Sequence, residues 1–187
     1  DSNDYESEGK IREPVLKFVN WARAFDIRNI DASRESNILG DTSSPSTGLG
    51  QQPMRSPSVF NFYRPGFVAP GTETGAQGLT APEFQVVNQG SMVSFMNFMT
   101  KFIFDTSGPD DNFIPDYGPE IAIADDAQAL VDYLDLLLTG NTLTDQAKAD
   151  IVEAVSSIQV TAAADREKRA KLAAFMTITS SAYAIQR

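Results

Sequence analysis

From Gly40 to Leu79 the chain offers no stretch that can run far as a helix or a strand. Pro45, Pro53, Pro57, Pro65 and Pro70 remove backbone donors there, and Gly48, Gly50, Gly66, Gly71, Gly75 and Gly78 favour turns. A connection of this length is unusual in a compact domain, so the fold must hold a long irregular arm against regular elements on either side. The expected point of attachment is Ser56-Pro57-Ser58-Val59-Phe60-Asn61-Phe62-Tyr63-Arg64-Pro65-Gly66-Phe67. Ser56 and Pro57 read as a helix cap and first helical residue, and Pro65 turns Arg64 away from helix, so any helix here is short. Ser56, Pro57, Phe60, Asn61, Phe62, Tyr63 and Pro65 are read together as a structural motif that plugs the arm into the core. Burial of Phe60, Phe62 and Phe67 at roughly 1.5–3 kcal/mol each provides the anchorage. On that reading Phe60→Ala costs about 3–5 kcal/mol.

The flanks are helical in pattern. A first helix is expected over Gly9 to Ile27, with Val15, Leu16, Val19, Ala22 and Phe25 as its stripe and Phe18 and Trp21 beside it. Thr80 and Glu83 have capping-box spacing and open a helix to about Phe104. Met92, Phe95, Met96, Met99 and Ile103 form its stripe, and almost no charge falls between Val86 and Thr100. Three further helices follow. One is capped by Asp125 or Asp126 and stopped at Gly140, with Leu130, Tyr133, Leu134 and Leu137 inward. The second starts at Thr144. The last, from about Ala162 to Thr179, has Leu172, Phe175 and Met176 inward and Asp165/Arg169 and Glu167/Lys171 pairs outward. The expected architecture is all-α: one domain over 1–187, about five helices around a central Met/Phe-rich helix, with 31–80 as an irregular wrapping segment. No apolar run is long enough to span a membrane.

Chemistry is narrowed by two absences. The chain has no Cys and no His, which removes thiolate nucleophiles, thiolate or imidazole metal sites and His-based triads. With 15 Lys and Arg against 25 Asp and Glu the net charge is −10, which argues against nucleic acid or an anionic membrane as partner. Asp110, Asp111, Asn112, Asp116 and Glu120 could together supply oxygens to calcium. Their spacing does not match a calcium-loop pattern, and a solvated loop is the favoured reading. Arg12 and Arg64 could clamp a carboxylate or phosphate, with Tyr63, Glu13 and Glu83 moving protons if burial shifts them. The favoured reading of all five is architectural. Thus Arg12, Tyr63 and Arg64 are the candidate ligand-binding residues, and no catalytic residue is assigned.

Gly9-Lys10-Ile11-Arg12-Glu13-Pro14-Val15-Leu16-Lys17-Phe18-Val19, the Arg55–Gly66 stretch, Leu79-Thr80-Ala81-Pro82-Glu83-Phe84-Gln85 and the closing Ser181-Ala182-Tyr183-Ala184-Ile185-Gln186-Arg187 together resemble one family. It is the bacterial domain of unknown function 1800. The resemblance implies the C-terminal part of a longer protein, exported to the periplasm, cell surface or medium. It implies no reaction. Its expected partners are the protein's own N-terminal region and other protein subunits. The chain begins at Asp1 without an apolar leader, consistent with a preceding segment. Two functions are in play: a non-catalytic scaffold or interaction module, and part of a hydrolase-like enzyme whose catalytic residues lie mainly upstream.

Overall fold

The structure, a computed structural model, describes residues 9–29, 41–104 and 113–186. Its architecture is all-α. Five long helices carry the core: α1 (Pro14–Ala24), α3 (Gln89–Ile103), α5 (Ala127–Thr139), α6 (Asp145–Ser156) and α7 (Ala163–Thr179). Shorter turns of helix are α2 (Glu73–Ala76), α4 (Gly118–Ile123) and α8 (Ser181–Ala184), with a 3-10 turn at Pro82–Gln85. Two antiparallel pairs of very short strands pin the chain: β1 (Lys10–Ile11) with β4 (Ile185–Gln186), and β2 (Arg28–Asn29) with β3 (Phe113–Ile114).

The central helix is α7, not the Met/Phe-rich α3. It packs against α3, α4, α5, α6 and α8. Its fully buried positions include Ala170, Ala173 and Ala174, whose small side chains let neighbouring helices approach closely. Leu172, Phe175 and Met176, expected inward, are only half-buried at the margins of that face. Arg169 is buried and bonds backbone carbonyls rather than pairing with Asp165, while Glu167 and Lys171 do pair, at 2.6 Å.

Burial in α1 follows side-chain size. Phe18, Trp21 and Phe25 are in the core, while Leu16 and Val19 are exposed. Phe18 meets Phe98 and Phe102 edge-on at 5.6 and 5.3 Å, and Phe25 lies 4.6 Å from Tyr117. Rotating the helix to bury Leu16 and Val19 would expose Phe18 and Trp21, a net loss of apolar burial.

Helix α3 begins at Gln89, eight residues later than a cap at Thr80 predicts. Asn88 and Ser91 form a reciprocal capping box there: Ser91 N–H donates to Asn88 Oδ1 at 3.0 Å, and Asn88 N–H to Ser91 Oγ at 2.8 Å. The 82–85 turn is a separate element preceded by Ala81, with no side-chain cap. Phe95, Phe98, Met99 and Ile103 are buried, whereas Met92 and Met96 are exposed.

Part of the irregular arm is interior. Within 41–51, Thr42, Gly48, Leu49 and Gln51 are buried. Leu49 N–H donates to Thr42 O at 2.9 Å, and Ser94 Oγ on α3 donates to Gly48 O at 2.8 Å. A Cβ on Gly48 would sit 2.8 Å from Thr42 O and 3.1 Å from Ser44 O. Gly48→Ala should therefore destabilise the fold by about 1–3 kcal/mol in urea denaturation.

Candidate functional site

The N-terminal end of α1 is where the arm meets the bundle, and it gathers most of the polar residues singled out in the sequence. Glu13 caps α1 by position but makes no side-chain cap bond. Gln51 substitutes for it, accepting Val15 N–H on Oε1 at 3.3 Å. Gln51 is fully buried, and its Nε2 donates to Glu13 Oε2. Thr42 Oγ1 donates to Gln51 O at 2.7 Å and fixes it from behind. The other Glu13 oxygen accepts the Tyr63 hydroxyl at 3.2 Å. Burial, then the Glu13 charge and its hydrogen bond, push the Tyr63 hydroxyl above its usual value, with Glu83 adding to the effect. Tyr63 thus remains a neutral phenol at neutral pH and ties the arm to α1.

Arg12 and Lys17 form the other half of the site. Arg12 N–H donates to Ala184 O at 2.8 Å, and its guanidinium lies 4.7 Å over the Tyr183 ring. The Tyr183 hydroxyl donates to Lys17 O at 2.5 Å. Lys17 is 5% exposed, with its ammonium 5.0 Å from the Phe95 ring centre. Burial, and then the nearby Arg12 charge, push its pKa down to about 8. Sequence reasoning missed Lys17, Gln51 and Tyr183. Lys17 was findable, since it falls on the helical face of Pro14, Phe18 and Trp21, where a lone cation is out of pattern.

Arg64 is not part of the cluster's polar core. Its side chain is exposed, and its backbone N–H donates to Gln85 Oε1. The motif residues around it do not form a plug. Ser56, Pro57, Asn61 and Pro65 are exposed, Phe62 and Tyr63 are half-buried, and Phe60 is 60% exposed. Ser58 to Asn61 is a tight turn rather than a helix: Asn61 N–H donates to Ser58 O at 3.2 Å, and Asn61 has φ 69°. Asn tolerates that left-handed conformation. The turn carries Val59 and Phe60 at its tip, so the core never reaches them.

The family described as "Protein of unknown function (DUF1800)" matches residues 1–185. The chain belongs to this family. No curated protein and no solved structure matches it.

Of the acidic residues weighed for calcium in this DUF1800 chain, Asp110, Asp111 and Asn112 lie outside the described residues. Asp116 Oδ1 accepts Gly118 N–H at 2.8 Å, and its backbone N–H donates to Phe25 O at 2.8 Å. Glu120 is buried, and that burial, with Asp116 adding charge, raises its carboxyl above the usual range. Among the described residues no group of three or more metal-binding side chains comes together. No helix among them is long and apolar enough to cross a membrane.

Proposed function

We propose that this DUF1800 chain works as a non-catalytic helical interaction module in an exported or envelope-associated bacterial assembly. The observation that carries the reading is the Ser58–Asn61 turn. Val59 at its tip is 95% exposed and Phe60 is 60% exposed, with Met54 fully exposed just before it. Leaving large apolar side chains on a turn sacrifices burial, and such patches mark contact with other proteins. The base is held firmly: Tyr63 bonds Glu13, Arg64 N–H bonds Gln85, and Ala81 N–H donates to Phe67 O at 2.8 Å. A pre-ordered apolar knob on a fixed base loses little entropy on docking. The carboxylate of the polar cluster is occupied by intramolecular donors, which supports scaffolding over proton transfer at that group. The exported setting and the partner subunits follow from the family resemblance and are part of the proposal.

The expected stability result reverses the plug. Phe60→Ala should change the unfolding free energy by less than about 0.5 kcal/mol, as for other exposed positions. A photo-reactive phenylalanine analogue at position 60 should give a discrete protein adduct in cells that make the full-length protein. Val59→Ser with Phe60→Asp should weaken that association without changing the melting temperature. Absence of any adduct sinks the reading.

A further inference from the structure

We propose that the Val59–Phe60 knob docks on the outer face of α5 in a second copy of this chain. The inference rests on the reading of the knob as a contact surface, and it names what the knob meets. Ala129, Tyr133, Leu136 and Leu137 are all exposed, at the i, i+4, i+7 and i+8 spacing that puts them on one side of α5. They make an apolar stripe about 12 Å long. Bare apolar faces of this kind mark contact surfaces on soluble proteins. Exposed acids border the stripe: Asp126 lies one turn before Ala129, and Asp132 one turn before Leu136.

Charge complementarity selects the partner. Between Gln51 and Thr72 the chain carries Arg55 and Arg64 and no acid. From Gly118 to Asp150, which spans α4 to α6, seven acids stand against one base, Lys148. A basic apolar knob and an acidic apolar stripe thus occur on the same chain. Both are exposed, so neither covers the other. Arg64 is exposed, and Arg55 makes only a loose contact with Asp41 at 3.6 Å, with both side chains well exposed. Exposed pairs of that kind contribute little, so Arg55 is free to turn to a carboxylate of the second copy. The apolar side chains would close on one another while the arginines meet acids at the rim, as in specific protein interfaces. The net charge of −10 works against the rival docking of the knob into an anionic bilayer. Because the two surfaces are unlike, the contact runs head to tail and leaves each end of the assembly open to a further copy.

The test uses the full-length protein in two variants, each with one surface spoiled. Val59→Ser with Phe60→Asp removes the knob, and Leu136→Asp removes the stripe. All three positions are exposed, so both variants should keep the wild-type melting temperature. In analytical ultracentrifugation the wild-type protein should form a concentration-dependent series of oligomers. Each variant alone should associate about tenfold more weakly, or less. An equimolar mixture should regain wild-type affinity but stop at the heterodimer, since only one intact knob and one intact stripe can meet. A photo-reactive phenylalanine analogue at position 60 of otherwise wild-type protein should join two copies through residues 127–139. That adduct decides the matter even if a variant fails to fold. Variants that do not pair when mixed, or an adduct to lipid or to a different protein, overturn the proposal. An adduct to a different protein leaves the interaction module standing, whereas no adduct at all removes both.

Discussion

Arg169→Ala should lower the unfolding free energy by about 3–5 kcal/mol in chemical denaturation, one of the two largest single-residue effects expected away from the aromatic core. The side chain is buried on α7 and serves three carbonyls. Nε donates to Ile158 O at 2.8 Å, and Nη1 to Ala124 O at 3.0 Å and Asp125 O at 3.2 Å. These acceptors sit just beyond the C-terminal ends of α6 and α4, where helical carbonyls lack intrahelical partners. One guanidinium therefore satisfies two helix ends and fixes both to the central helix. Alanine leaves those carbonyls dry and unpaired. Arg169→Lys keeps the charge but lacks the planar fork, so it should recover less than half of the loss. A cost under about 1 kcal/mol for the alanine variant would show that water replaces the guanidinium freely.

Asp135→Ala should cost about 2–4 kcal/mol. Asp135 is fully buried on α5, 2.7 Å from Lys148 Nζ on α6. Its Oδ1 accepts Leu143 N–H at 3.0 Å and the Thr139 hydroxyl, so it organises the α5–α6 turn that Gly140 begins at φ 70°. Burial alone pushes this carboxyl upward. The bonds from Lys148, Thr139 and Leu143 outweigh it, and the folded-state value lies below the usual carboxylate range. A depressed folded pKa contributes stability that is present above the unfolded value near 4 and is lost as pH falls through the folded one. Wild-type protein should thus lose stability on acidification below about pH 4 more steeply than Asp135→Asn does. Equal acid slopes for the two proteins would remove Asp135 from that account.

The caps of α5 and α6 were legible because they are local. Asp126 accepts Ala129 N–H, Thr144 accepts Ala147 N–H, and Gly140 takes the left-handed conformation that ends α5. Which face of a helix is buried was harder to read. Helix α5 is apolar on most sides, so periodicity placed Tyr133 and Leu137 inward, whereas α6 and α7 select Val131 and Leu138. Pattern within one helix cannot say where its neighbours lie. The candidate site was half legible: Glu13 and Tyr63 do meet, but Gln51 joins them across 38 positions with no periodic signal. Phe60 failed for a related reason. Hydrophobicity marks what burial would favour, and a four-residue turn can hold a phenylalanine outside the core all the same.

The clasp between β1 and β4 has a bearing on biosynthesis. Lys10 pairs with Gln186, Arg12 N–H with Ala184 O, and the Tyr183 hydroxyl with Lys17 O across 166 positions. A ribosome makes α1 early but supplies its last contacts only when residues 183–186 emerge. Until then the Lys17 carbonyl and the Arg12 N–H lack these partners, and α1 waits for residues 183–186 to reach its final surroundings. Nascent chains stalled before Tyr183 should consequently remain protease-sensitive near α1, while released chains become resistant in a single step.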